Sequence, residues 1–442
     1  MIETFAPSAT VRTSGFVAGG IGWYRKRFKL PEIRDERVAW IEFDGVYRNC
    51  DIWLNGQYLV NHRSGYTSFQ VNVTDAALWG EENILIVRVD ASELERMCGS
   101  ARQGGSMKKI RWGVIGAGGI AHRRTLPVFS QVTNSELVII MDVVGADELG
   151  QLYNVEATDS AEAILSRDDV DAVYIATPVQ FHTEQVIKAA RAGKHVLCEK
   201  PLARTLAEAR AAAQACLEAG VLLQPAYMLR HHGAHKEMLR VIKAGEIGRP
   251  AYANMQWSFN YRPIAGAWRQ IPELGGGGSL ADVGCHMFDL LEMMLGPIAR
   301  VACRTNTLIQ DYPVEDVASV LIEFASGVQA TMVASFAFPT PIMPTQLHIY
   351  GSAGAVHARR TLTQGSDGDV SIALACDETG AERPLPYVEV NPYAGQIENL
   401  AERVLQGEKP TLASMTEALR SSAILDACYE SAHTGEFVEV AL

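Results

Sequence analysis

Three patterns of apolar and polar positions follow one another along the 442 residues. Up to about residue 90 the chain alternates apolar and polar positions at a period of two, in short runs. Residues 23–28, 38–43, 50–54, 69–73 and 84–89 read as half-buried strands. Gly22 and Pro31 bound the first, and Asn55-Gly56 after the third is a hairpin signal. Short strands with turns between them predict an all-β sandwich-like segment over residues 1–94. From residue 107 to 226 buried apolar strands alternate with helical runs. Strands are expected at 110–115, 136–142, 172–176, 195–198 and 221–223. Helices are expected at 120–129, 181–192 and 206–219, the last two stopping at Gly193 and Gly220. That alternation predicts a doubly wound parallel sheet, an α/β domain. From 227 to 442 a helix at 235–244 leads into longer alternating runs at 251–261, 299–305, 318–324, 329–336 and 346–350. These predict a mainly antiparallel sheet with helices, an α+β domain. Between the first two patterns, residues 95–106 are Gly/Ser-rich, the composition of a flexible linker.

Composition narrows the function classes. A hydrophobic share of 48% and a charged share of 20% are ordinary for a globular protein. The net charge of −12, with no basic run, excludes nucleic acid and anionic membrane as main partners. No apolar run reaches the ~18–20 residues of a membrane span. The start, MIETFAPSATV, has neither a basic end nor an apolar signal core, so a cytoplasmic location is expected. The eight cysteines are scattered, with no C-x-x-C pair and no histidine cluster at metal-ligand spacing. They read as free thiols in a reducing compartment, and no metal is expected.

The chemistry concentrates after residue 110. The run IRWGVIGAGGIA places Gly116, Gly118 and Ala121 in G-x-G-x-x-G/A spacing between a strand and a helix, with Gly119 and Ile120 inside the motif. The first glycine permits a tight turn, the second lets the backbone approach a pyrophosphate, and the small third residue lets the helix pack close. Taken alone, the motif reads equally as a Gly-rich turn. The context of strand, helix and later acid points to a dinucleotide. Asp142 closes the next strand 24 residues beyond Gly118, near the distance at which an acid meets the ribose 2′-hydroxyl. It also reads as a cap on the following helix. Val143-Val144 offers no cation for a 2′-phosphate, which favours NAD over NADP. Lys200 stands just beyond the strand at 195–198, where it can hold charge near a developing alkoxide. Farther on, Trp268-Arg269, the run Gly275-Gly276-Gly277-Gly278 and a helix at 280–295 form a second constellation. Asp282 and His286 are four apart on that helix, hence on one face. A carboxylate there can orient an imidazole base, although spacing alone fits a helix-surface pair.

Two resemblances bear on these residues. The runs WYRKRFKLP, FDGVYRNCDIWLNGQYLVNHRSGYTSFQVNVT and NILIVRVD resemble the N-terminal jelly-roll domain of glycoside hydrolase family 2. The specific parts are Asp44-Gly45-Val46-Tyr47, Trp53-Leu54-Asn55-Gly56 and Gly65-Tyr66. The catalytic barrel of that family is lacking and the jelly roll is cut short after Asp90. The segment thus reads as a non-catalytic remnant or an accessory sugar-recognition module, joined by gene fusion.

From Met107 onward, GVIGAGGIA, ATPVQFHTEQV and GKHVLCEKPLA resemble the Gfo/Idh/MocA family of NAD(P)-dependent oxidoreductases, whose first domain is a Rossmann fold. The resemblance implies that Lys200 is the catalytic lysine. It places Glu199 near the nicotinamide ribose, and Thr177, Pro178 and His182 along the cofactor. Gly-Gly-Gly-x-x-x-Asp-x-Gly-x-His matches the family's substrate-side motif at Asp282 and His286. Tyr227, Arg230, Trp268, Arg269 and Tyr393 fall on the substrate side. A homo-oligomer, dimer or tetramer, through the second domain's sheet is also implied.

The expectation is therefore an NAD-dependent oxidoreductase acting on a CH–OH group of a sugar or polyol. In it His286 takes the hydroxyl proton, Asp282 orients His286 and Lys200 stabilises the alkoxide. Two other readings are a glycosidase using transient NAD-dependent oxidation and elimination, and a non-catalytic NAD-binding sugar sensor.

Overall fold

A computed structural model describes residues 3–4, 21–32, 38–43, 49–62, 69–90, 108–377 and 379–442. The chain divides into two compact units, Met1–Met107 and Lys108–Leu442.

The first unit has strands β1 (Glu3–Thr4), β2 (Ile21–Lys29), β3 (Trp40–Phe43), β4 (Asn49–Leu54), β5 (Gln57–His62), β6 (Phe69–Asn72) and β7 (Glu82–Asp90). Five form one antiparallel sheet in the order β1-β2-β7-β4-β5, while β3 and β6 pair separately. Alternate residues point to the core. Cys50, Ile52 and Leu54 on β4 and Leu85, Val87 and Val89 on β7 are buried with Val71 of β6. Asn55 (φ +53°) and Gly56 (φ +84°) both take the left-handed conformation of a two-residue hairpin turn, as their sequence demands. The runs Asp44-Gly45-Val46-Tyr47 and Gly65-Tyr66, Cys98, and the linker at 95–106 lie outside the described residues.

The second unit begins with six parallel strands. They are β8 (Ile110–Ile115), β9 (Ser135–Met141), β10 (Glu156–Thr158), β11 (Ala172–Ile175), β12 (His195–Cys198) and β13 (Leu223–Pro225), in the order β10-β9-β8-β11-β12-β13. This is the doubly wound order, whose switch point lies between β8 and β11. A nine-stranded sheet follows. Its strands are β14 (Pro250–Ser258), β15 (Ile298–Asn306), β16 (Val317–Phe324), β17 (Gln329–Ser335), β18 (Gln346–Gly351), β19 (Gly354–Arg359), β20 (Asp369–Leu374), β21 (Arg383–Pro384) and β22 (Val438–Glu439). They run β21-β20-β19-β18-β14-β17-β16-β15-β22 and pair antiparallel except for β14 with β17. One face of this sheet buries Met255, Val320 and Met332, and the Leu280–Gly284 turn and helix Leu412–Thr434 pack against the sheet.

Two expected helices are irregular. In place of a regular helix over 120–129, the chain makes a π turn at Ala121–Thr125 and a 3-10 turn at Leu126–Ser130. Pro127 lacks the N–H that an α-helical ladder needs there. The expected helix at 280–295 is a π turn at Leu280–Gly284 followed by α-helix Cys285–Leu295. Asp282 lies on the π turn and His286 on the α-helix, a widening often found at functional sites.

Candidate functional site

A cleft of about 900 Å³ runs along the carboxyl edge of the parallel sheet. One wall comes from strand ends. Gly116 follows β8 at φ +89°, and a Cβ there would lie 2.8 Å from the Thr177 nitrogen. Only glycine lets the ends of β8 and β11 approach so closely. Asp142 follows β9, and its Oδ2 accepts the Gly118 N–H at 2.7 Å while Oδ1 accepts that of Val144 at 3.1 Å. A carboxylate has about four acceptor positions, so acceptor capacity remains. A Cβ on Gly119 would meet nothing within 4 Å, so this loop opens onto free space. A flat, negatively charged dinucleotide fits such a loop, with its N–H groups toward phosphate and the acid toward ribose.

Beyond β12 stands Glu199, buried, with Oε1 accepting the Tyr174 hydroxyl at 2.6 Å and Oε2 the Lys200 N–H at 3.2 Å. Burial raises its pKa, and Lys200 and Tyr174 only partly offset this. The Lys200 ammonium donates to the Asp282 carbonyl at 2.8 Å and to Oδ1 of Asp282 at 2.7 Å. Burial alone would depress the Lys200 pKa. The Asp282 charge, with Cys285 and Glu199, outweighs it and the net shift is upward. Burial would likewise lift Asp282, but Lys200 and Arg269 hold it well below the carboxylate range. Two of the three Lys200 donors are thus used, and one is left for a ligand.

Asp282 is therefore the partner of Lys200 rather than the orienting group of His286. His286 is buried against Tyr227 and Trp257, ring centroids 5.8 and 5.6 Å away, and its Nδ1 has no hydrogen-bond partner. Burial and the Lys200 charge drive its pKa well below the usual value, with Asp282 opposing. Burial and the Lys200 charge therefore favour the neutral imidazole.

The cleft brings together Gly116, Gly118, Gly119, Ile120, Asp142, Thr177, Pro178, His182, Glu199, Lys200, Trp268, Arg269, Asp282, His286 and Tyr393. Arg269 lies over the Trp268 ring at 4.2 Å and 3.4 Å from Oδ1 of Asp282. Three expected ligand contacts are placed otherwise. Ala121 is fully buried under the loop, where its small size serves packing. Tyr227 is buried behind His286. Arg230 faces away, with its Nε 2.9 Å from both carboxylate oxygens of buried Asp289, so it ties helices together and is not free for substrate. His182 reaches the cleft, but Nδ1 lies 3.0 Å from the Pro201 carbonyl and Nε2 2.8 Å from that of Thr177. It braces the two loops that carry Thr177 and Lys200.

Sequence reading missed an aromatic row. Trp257, Phe259 and Tyr261 line the cleft at a spacing of two, the period of one strand face at the end of β14. Arg123, Phe181 and Gln185 also line it and carried no sequence signal.

The described residues hold no group of three or more metal-type ligands and no helix long and apolar enough to cross a membrane. Their seven cysteines are free thiols.

Comparison with known proteins follows the same division. Residues 16–123 match the family model described as glycosyl hydrolase 2 galactose-binding domain-like. That match runs past Met107 across β8, which the structure gives to the parallel sheet. Residues 110–227 match the oxidoreductase family, NAD-binding Rossmann fold, and residues 235–357 the GFO/IDH/MocA C-terminal domain. The chain is 33% identical over 339 residues to 1,5-anhydro-D-fructose reductase of Ensifer adhaerens, covering 75% of this chain and 98% of that one. It is 32% identical over 338 residues to D-xylose 1-dehydrogenase (NADP(+)) 2 of Haloferax volcanii, covering 75% and 100%. Among solved structures, aldose-aldose oxidoreductase from Caulobacter crescentus complexed with glycerol superposes with a TM-score of 0.68 at 25% identity, over 75% of this chain and 100% of that one. Through its second unit, the chain belongs to the Gfo/Idh/MocA family of NAD(P)-dependent oxidoreductases.

Proposed function

We propose that the second unit interconverts a carbinol and a carbonyl of a sugar or polyol, using NAD in preference to NADP. The observation that carries this is the single cleft in which the glycine loop, Asp142, Lys200, Asp282 and His286 meet an aromatic row. The Gly118–Ile120 loop, Asp142, Thr177 and Pro178 would hold the nucleotide, which supplies or accepts the hydride. Trp257, Phe259 and Tyr261 offer flat apolar faces to the C–H side of a sugar ring, while Arg269 and His286 offer polar groups to its hydroxyls. Charge at the reacting oxygen is met by the third donor of Lys200. The ammonium is held protonated by Asp282, so it can give its proton to an alkoxide as a carbonyl is reduced and take it back in the reverse direction. His286, kept neutral, hydrogen-bonds the same hydroxyl and is a secondary proton carrier. Asp142 beside Val143 and Val144 accepts from a ribose hydroxyl and repels a 2′-phosphate, which favours NAD.

The relatives named above are reductases and dehydrogenases, and they favour neither redox-assisted glycoside cleavage nor a sensor. NADH fluorescence across sugars and polyols tests the proposal on the full chain. Turnover is expected for wild type, with Lys200→Ala losing about 10³-fold or more in kcat while NADH still binds. Near wild-type kcat in that variant sinks the assignment.

We also propose a homo-oligomer formed through the face of the nine-stranded sheet that exposes Tyr252, Leu321 and Tyr350. Light scattering that returns a single-chain mass overturns it.

A further inference from the structure

Glu315 plays no part in the chemistry above. It stands two residues before β16, is buried, and reaches back to the loop that leads into Asp282. Its Oε2 accepts the Gly278 N–H at 2.9 Å. Its Oε1 accepts the Leu280 N–H at 2.9 Å and the Tyr429 hydroxyl at 3.1 Å. Its own carbonyl accepts the Ser279 N–H at 3.0 Å. Three successive N–H groups of one loop therefore end on one residue. The loop is also confined by shape. A Cβ on Gly278 would lie 2.1 Å from the Glu315 carbonyl oxygen, and one on Gly277 would lie 1.8 Å from the Tyr429 hydroxyl. The neighbouring Asp316 clamps a second loop in the same way, accepting N–H groups from Leu308, Ile309 and Gln310.

A buried carboxylate is costly unless its oxygens are satisfied. Here the satisfaction comes from the backbone of the substrate-side turn. The far end of that turn is Asp282, whose N–H bonds the Gly278 carbonyl at 3.0 Å and whose oxygens hold Lys200. We propose that Glu315 is a positioning residue: an anionic clamp that fixes the 278–282 turn and, through it, the Asp282–Lys200 pair. The inference rests on the redox reading given above. Lys200 is faced by Asp282, Cys285, Arg269 and Glu199, and its charge also acts on His286 and His182. If the turn loosens and Asp282 withdraws, burial and Arg269 are less opposed, and the ammonium loses its proton more easily.

The test is Glu315→Gln in the full chain, which puts an amide where two N–H groups need acceptors. Expected are a fall in kcat of about 10- to 100-fold with little change in KM, an alkaline limb of the pH–rate profile moved to lower pH, and faster hydrogen exchange in peptides covering 278–284. A purely structural role lowers the melting temperature without moving the limb. A folded variant with the wild-type limb and wild-type exchange overturns the clamp. Should Glu315→Gln not fold, Glu315→Asp keeps the charge, withdraws it by one methylene and gives the same readouts. Failure of wild type to turn over any sugar or polyol counts against the redox reading, and the exchange rates then decide the clamp alone.

Discussion

The two walls of the cleft are built differently. On the glycine-loop wall each contributing segment starts one or two residues beyond a strand end. Gly116 follows β8, Asp142 follows β9, Thr177 follows β11 and Lys200 follows β12. Parallel strands end on one edge, so backbone geometry alone delivers these groups to one line. The aromatic wall has no such rule. It takes Trp257 from the end of β14, Phe259 and Tyr261 from the segment just after it, Trp268 and Arg269 from a 3-10 turn, and Asp282 from a π turn. Position along the chain therefore foretells position in space on the first wall and not on the second. Two arginines make the difference concrete. Arg230 and Arg269 were both expected beside substrate, yet Arg269 lines the cleft and Arg230 pairs with buried Asp289.

That contrast can be broken most forcefully at Arg230. Removing one partner of a buried pair strands the other charge, and here Asp289 is 5% exposed while Arg230 is 30% exposed. Burial already pushes the Asp289 pKa up to about 6 against the pull of Arg230. Arg230→Ala should lower unfolding stability by about 3 kcal/mol in urea titration, at the low end for buried pairs because Arg230 is partly solvated. At a temperature where the variant is still folded, its KM for substrate should stay near wild type. A raised KM with unchanged stability would return Arg230 to the substrate wall.

The same contrast explains what could be read in advance. Strand and turn chemistry was legible where the pattern is local: Asn55-Gly56 made its hairpin, and the β8 to β12 alternation made a parallel sheet. Helix Leu412–Thr434 was not foreseen. It buries Met415, Ser421, Ser422, Leu425 and Cys428 on more than one side, so no single apolar stripe marks it. Strands β19 and β20 were missed as well, each a run of only six residues. At the site, Lys200 and Asp282 were each legible, but their pairing was not. Four-residue spacing suggested that Asp282 serves His286, whereas the π turn and the incoming Lys200 give its carboxylate to the lysine. Glu315 carried no local pattern at all, since its side chain accepts from backbone groups 35 and 37 residues away and from the Tyr429 hydroxyl.

A smaller effect sharpens the contrast from the other wall. Asp142 accepts two backbone N–H groups and lines the cleft. If its role is to receive a ribose hydroxyl, Asp142→Ala removes one charge-assisted hydrogen bond, a loss of roughly 1.5–3 kcal/mol, or about 10- to 100-fold in NAD affinity. The same change removes the negative charge that repels a 2′-phosphate, so NADP should bind no worse than before, and the preference for NAD should shrink by more than NAD affinity alone implies. The substrate KM should not move, because the aromatic wall is untouched. Fluorescence titration with NADH and NADPH reads both affinities on one preparation. Equal losses for the two cofactors would mean that Asp142 only braces the glycine loop through the Gly118 N–H. A rise in substrate KM would mean that the two walls are coupled.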